Sequence, residues 1–113
     1  MNWTIKLAAS ARHDISQALN WTLENFGRKK HDQYLELVRL ALNDIATNPT
    51  GERTKERPEL HAEARTLHIG RPGKRARHLF LYRMNTNRSI DVGRFLHDAM
   101  ELSRHLPEEF EGN

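Results

Sequence analysis

The sequence predicts an α+β fold: an N-terminal strand, an antiparallel two-helix hairpin packed on an antiparallel β-sheet, and a short C-terminal helix or tail. Three observations carry this expectation. The opening residues alternate apolar and polar with period two; two segments parted by a glycine then repeat their apolar residues at helical spacing; and three apolar segments follow, divided by turn formers.

Trp3, Ile5 and Leu7 alternate with Thr4 and Lys6, the pattern of a strand over Trp3–Leu7 with one buried face. Ser10 is placed to cap the helix that follows, its hydroxyl accepting from an orphan amide of the first turn. Ala11, Ile15, Ala18, Leu19, Thr22 and Phe26 then share a helical face, and Gly27 supplies a left-handed stop. Tyr34, Val38, Ala41 and Ile45, widened by Leu37 and Leu42, mark a second helix that ends at Asn48-Pro49. With few residues between them, the two helices are expected to lie antiparallel. Trp3 and Trp21 are expected to pack in the core or the hairpin.

Thr50 to Glu63 is polar, carries Gly51 and Pro58, and reads as a surface connection. Strands are expected over Ala64–Ile69, Ala76–Met84 and Ser89–Leu96. Gly70-Arg71-Pro72-Gly73-Lys74 and Asn85-Thr86-Asn87-Arg88 are their turns. Leu79–Tyr82 is apolar on both faces, so its strand should be central and covered on each side. Strict alternation puts Ile90, Val92, Arg94 and Leu96 on one face of the last strand and Asp91, Gly93, Phe95 and His97 on the other. Met100, Leu102, Leu106 and Phe110 repeat weakly around Pro107, as a short helix or a tail would.

At 113 residues the chain has room for one domain, taken as 1–113. It contains no cysteine, which excludes disulfide scaffolds, thiol nucleophiles and Cys-based zinc sites. Its seven histidines form no H-E-x-x-H pair, and no cofactor or metal is expected. No signal-like opening and no apolar run near the ~20 residues of a membrane span is found, so a cytoplasmic protein without a membrane partner is expected. The net charge of +3 hides an asymmetry: no Asp or Glu lies between Glu63 and Asp91, while Arg65, Arg71, Lys74, Arg75, Arg77, Arg83 and Arg88 do. Acids follow at Asp91, Asp98, Glu101, Glu108, Glu109 and Glu111. Such a block is either a patch for phosphate or an acidic partner, or the solvated surface of a hairpin.

Several local sequences go further. Trp21-Thr22-Leu23-Glu24-Asn25-Phe26-Gly27, running on through Lys30 to Tyr34, is an aromatic-Gly corner with a Tyr one turn into the next helix. Ile45-Ala46-Thr47-Asn48-Pro49, Arg57-Pro58-Glu59-Leu60 and Leu79-Phe80-Leu81-Tyr82-Arg83 follow, and then Arg94-Phe95-Leu96-His97, Met100 and Arg104-His105-Leu106. Together these resemble the ParE branch of the RelE/ParE toxin-antitoxin superfamily, the plasmid-stabilisation type, from Ser10 to Leu106. The resemblance departs at Arg71–Ala76, which lengthens a turn that is usually tight.

The resemblance implies a cytoplasmic toxin, neutralised by a cognate ParD-like antitoxin, that inhibits DNA gyrase by binding and is not itself an enzyme. A homodimer within the toxin-antitoxin complex is compatible with it. On that reading Arg83, Arg94, His97 and Arg104 are the target-binding candidates, and Arg71, Lys74, Arg75 and Arg77 are candidates for antitoxin or phosphate contact. Structural pairing of Arg83, with Asp91 for instance, is an equal alternative. The RelE branch implies instead an endoribonuclease cutting messenger RNA, with His97 as base or acid and Arg65 and Arg83 as phosphate clamp. A plain nucleic-acid-binding module using the basic hairpin is a third alternative.

Overall fold

The computed structural model describes residues 2–110, so Glu111, one of the acids beside the basic block, lies outside the described residues. β1 (Thr4–Leu7) leads into α1 (Ala9–Thr47), followed by β2 (Thr54–Glu56), β3 (Ala64–His68), β4 (His78–Met84) and β5 (Ser89–His97). Two 3-10 turns, Leu102–Arg104 and Glu108–Phe110, take the place of the expected C-terminal helix or tail. The expected strands are all present, their ends displaced by one or two residues.

The helical region consists of two limbs that meet at Gly27. It is one helical stretch of 39 residues, broken only at Gly27, where φ is 86° and ψ 179°. Only glycine occupies that region of backbone space readily. A straight helix of this length would run about 58 Å at ~1.5 Å per residue, whereas the longest extent of the molecule is 41 Å. The stretch is therefore bent at Gly27, and both limbs reach the sheet. Ala11 from the first limb and Leu37, Val38, Ala41 and Ile45 from the second are buried in one cluster.

Ser10 is not the cap. The helix begins earlier, with Ala8 at the cap position and no side-chain bond there, and the Ser10 hydroxyl turns to donate to Gly93 O at 2.7 Å.

The sheet has five strands in the order β1-β5-β4-β3-β2, and it is mixed, not antiparallel. β1 runs parallel to β5, from Thr4 opposite Ser89 to Leu7 opposite Val92. Period-two alternation reports that one face is buried and is silent about partner direction. With α1 standing between β1 and every later strand, β1 fills the open edge of β5 from a distance. β2 lies within the segment expected to be a surface connection. It pairs with β3 from Thr54 opposite Leu67 to Glu56 opposite Arg65, and its Thr-Lys-Glu sequence gives no apolar signal because it is a short edge strand.

β4 is central, as expected, and Leu79–Tyr82 is buried throughout. Phe80 and Tyr82 face α1, while Leu81 joins Ala64 and Phe110 beneath Leu60 on the opposite side. A fully buried side chain of this size contributes about 2–3 kcal/mol, so the run anchors both layers. The Tyr82 hydroxyl donates to Pro49 O at 2.6 Å and pins the exit of α1 to the sheet.

The alternation expected for β5 fails at Gly93. Leu81 pairs with Arg94 but Tyr82 with Val92, so Gly93 is the extra residue of a bulge. Phe95 consequently rejoins Ile90 and Val92 on the helix side. A Cβ on Gly93 would overlap the Pro107 ring at its Cγ, which is why a glycine stands there. A second correction concerns Phe26 and Trp21, expected to be packed: they are 61% and 58% exposed, because the bend of α1 projects beyond the sheet.

Gly27→Ala is expected to lower stability by about 1–3 kcal/mol through backbone strain alone, since nothing lies within 4 Å of a Cβ built there. Gly93→Ala should cost more, because Pro107 and the C-terminal turn must move. Urea unfolding of both variants checks this, and an unchanged midpoint for Gly27→Ala would remove the strain argument.

Candidate functional site

The basic loop between β3 and β4 is built first from Asp44, near the end of α1. That carboxylate accepts from Arg53 at 2.9 Å and Arg71 at 2.5 Å. Arg53 also donates to Gly70 O at 3.0 Å, tying the loop base to the helix. Arg71 and Lys74 exchange backbone hydrogen bonds around Gly73, whose φ of 75° closes the turn. The loop walls a hollow of about 520 Å³ bounded by His68, Arg71, Lys74, Arg75 and Arg77. Arg71 Nε is buried without a partner. Among the described residues Lys74 and Arg75 have no ion pair, and both are exposed. The four residues expected to meet phosphate or an antitoxin are thus brought together on one hollow.

Beside it, antiparallel pairing sets His78 opposite His97. Asp98 collects three cationic or potentially cationic neighbours: His68 Nε2 at 2.9 Å, Arg77 Nη2 at 3.1 Å and His97 Nδ1 at 3.6 Å. The His68 hydrogen bond holds the Asp98 carboxyl below its usual range, with Arg77 assisting. The His97 ring also accepts from Ala99 N at 3.1 Å.

Inside this cluster the Tyr34 hydroxyl accepts from Arg77 N at 3.1 Å and contacts His78 Nδ1 at 2.6 Å. His78 stacks on Phe95 with centroids 4.8 Å apart. Burial, reinforced by His97, pushes the His78 pKa down from 6.5 to about 4. The ring is neutral near pH 7, so Tyr34 donates to it. Burial likewise raises the Tyr34 pKa.

The trio expected for RNA cleavage is not assembled. Arg83 lies five positions along β4 from His78, about 16 Å at ~3.3 Å per residue, and hence far from His97. Arg65 pairs with Tyr82, one position before Arg83 on the strand, so the two guanidinium groups leave opposite faces of the sheet. Each is committed. Arg65 donates to Thr54 Oγ1 at 2.9 and 3.1 Å and to Glu56 at 3.3 Å. Arg83 donates to Asp91 at 2.8 Å, the structural pairing that the sequence allowed, and stands 5.5 Å from the Phe110 centroid. Its Nε and Nη1 have no partner.

Arg94 is held by Asp14 through Nε at 2.7 Å and Nη2 at 3.0 Å, and that hydrogen bonding raises its pKa further. Arg104 is exposed and pairs with Glu101 at 3.1 Å. Of the target-binding candidates, Arg104 is exposed and His97 half-exposed, while Arg83 and Arg94 are largely buried and held by Asp91 and Asp14.

Nothing in the sequence marks Tyr34, His68, His78 and Asp98 as residues of one site. The last three share only a position at strand ends, and the register alone joins them. Among the described residues no group of three His, Asp or Glu side chains is arranged to hold a metal ion, and no helix is long and apolar enough to cross a membrane.

Residues 5–102 match the family described as ParE toxin of the type II toxin-antitoxin system parDE. The chain is 28% identical over 100 residues to Toxin ParE1 of Mycobacterium tuberculosis strain CDC 1551 / Oshkosh, covering 88% of this chain and 94% of that protein. The same figures hold for Toxin ParE1 of strain ATCC 25618 / H37Rv. Its fold matches a solved chromosomal ParDE toxin-antitoxin system from P. aeruginosa, with TM-score 0.66 and 16% identity over 84% of this chain and 95% of that one.

The depressed His78 pKa sets a pH dependence. Below its ordinary 6.5 the unfolded chain binds a proton that the folded chain refuses until about 4, so stability should fall as pH drops across that interval. Thermal melts of the wild type and of His78→Gln, which can still accept from Tyr34, check this: the variant should lose the decline in that window.

Proposed function

This chain belongs to the ParE toxin family of type II toxin-antitoxin systems, and on that premise we propose that it inhibits DNA gyrase by binding, without catalysis, and is neutralised by a ParD-like antitoxin. It acts in the cytoplasm, where gyrase is found. The observation that supports a non-catalytic role is the commitment of its internal cations. Cutting RNA requires a base, an acid and a phosphate clamp within reach of one phosphate. Here Arg65, Arg83 and Arg94 are hydrogen-bonded into the fold, two of the three expected catalytic groups sit on opposite faces of the sheet, and the third is at the other end. Arg104 and His97 remain as accessible target contacts.

The antitoxin reading rests on the loop hollow. Arg71, Lys74, Arg75 and Arg77 offer an acidic, disordered segment a place to fold on binding. It would lie across α1 and the neighbouring part of the sheet, with its carboxylates on these cations.

One observation favours a second reading. His68 and His97 flank Asp98 beside Arg77, and His68 and Arg77 also line the hollow. Two imidazoles and a guanidinium are the groups that 2′-hydroxyl attack needs, in a place different from the one expected from sequence.

The deciding experiment adds antitoxin-free protein to a gyrase supercoiling and cleavage assay and, in parallel, to a primer-extension assay on translated messenger RNA. Gyrase inhibition with intact RNA is the expected result. Cut RNA that is spared by His97→Ala and His68→Ala, with gyrase unaffected, would replace it with the RNase reading. For the antitoxin, Arg75→Glu with Arg77→Glu should weaken the complex by at least about tenfold, or ~1.4 kcal/mol, in titration calorimetry; unchanged affinity would move the contact elsewhere.

A further inference from the structure

The bend of α1 carries a feature that neither the core nor the hollow uses. Every residue from Leu23 to Lys30 is exposed. Trp21 and Phe26 stand edge to face with centroids 5.5 Å apart, 58% and 61% exposed. Large exposed aromatic side chains held together on a projecting element mark an interaction surface. Gly27, in a backbone region open to glycine alone, holds the bend on which they sit.

The residues directly after the bend are basic: Arg28, Lys29 and Lys30. Arg28 is offset by Asp32 at 3.6 Å, and Lys29 and Lys30 make no ion pair among the described residues. Lys30 lies four positions before Tyr34, so the two share one helix face about 6 Å apart along the axis. Tyr34 in turn touches the backbone of Arg77, and Arg77 borders the hollow with Lys74 and Arg75. The cations thus form one stripe, from the β3–β4 loop, past Tyr34, up the second limb of α1, ending at the aromatic pair.

We propose that this stripe binds single-stranded DNA, with phosphates tracking Lys74, Arg75, Arg77 and Lys30 and an unpaired base stacking on Trp21 or Phe26. A basic track that ends in exposed aromatic rings is the arrangement used for unpaired strands, because every base offers a π-face and every linkage a charge. An acidic peptide would satisfy the cations and leave the aromatic pair without a purpose. The placement rests on the gyrase reading, in which the protein meets enzyme and DNA together, and the stripe gives it a hold on the DNA. An antitoxin seated on Arg75 and Arg77 would compete with the strand for the same cations.

The test measures fluorescence anisotropy of a labelled oligodeoxythymidylate with the antitoxin-free protein, across a salt series. Wild-type binding should weaken steeply with salt. Lys30→Glu with Lys74→Glu should lower affinity at least about tenfold and flatten the salt slope. Trp21→Ala should lower it roughly fivefold or more for the single strand and leave a duplex of mixed sequence nearly unchanged. All three positions are exposed, and a thermal melt verifies that the variants remain folded. Absence of binding at low salt, affinity indifferent to these substitutions, or a preference for RNA over DNA would each overturn the proposal. The same proteins enter the supercoiling assay. If the oligonucleotide binds through these residues while wild-type protein leaves gyrase untouched, the gyrase reading fails and the stripe stands. If gyrase is inhibited and no oligonucleotide binds, the stripe fails and the gyrase reading stands.

Discussion

The Asp14 carboxylate is the joint on which the two layers depend. Oδ2 accepts from Arg94 Nε at 2.7 Å and from Phe95 N at 3.0 Å, and Oδ1 accepts from Arg94 Nη2 at 3.0 Å. Three donors converge because the Gly93 bulge turns Arg94 and the Phe95 amide toward the first limb of α1. A largely buried charge of this kind is tolerable only when its oxygens are fully hydrogen-bonded. From there a continuous path of contacts crosses the molecule. Phe95 packs on Phe80 and on His78, both with centroids at 4.8 Å, and His78 meets Tyr34 on the second limb. The two limbs of α1 are therefore tied to each other through β5 and β4.

That path explains why the histidines divide in character. His78 lies inside it, neutral and enclosed, with a hydroxyl for a partner. His68 and His97 lie at its margin on Asp98, half-exposed to solvent. The cations divide in the same way. Arg65, Arg83 and Arg94 answer to carboxylates and hydroxyls of the scaffold, while Lys74, Arg75, Lys29 and Lys30 project outward. Charge that faces inward here is paired within the fold, and charge that faces outward is left to solvent.

Much of this was legible beforehand, for reasons that differ by element. The central strand was, because Leu79–Tyr82 is apolar on both faces and only a covered strand tolerates that. The strand positions were, because turn formers punctuate them. Gly27 was legible as a break and not as the kind of break, since a glycine that ends a helix and one that bends it look alike in sequence. β2 escaped because an edge strand of Thr, Lys and Glu buries nothing. The parallel β1–β5 pairing and the His68–Asp98–His97 cluster escaped because both are made by register between segments distant in the chain, where local pattern has no reach. The basic character of the β3–β4 loop was legible from composition, whereas the pairing of Arg71 with Asp44 and of Arg77 with Asp98 was not, since those acids lie outside the basic block in sequence. The Arg65–Arg83 clamp was not formed because two residues of adjacent register on neighbouring strands face opposite ways, a rule of pleating that residue type does not reveal.

The parallel strand pair has a further bearing, on synthesis. Thr4 finds its partner at Ser89 and Asp14 finds its own at Arg94, so β1 waits on the ribosome for β5 before it has a strand to pair with. Pairings this distant in sequence are slow to form and leave the early segment exposed meanwhile. A chain cut short before β5 lacks both the edge that receives β1 and the arginine that receives Asp14. The edge strand and the joint between the layers therefore form together, once β5 is in place.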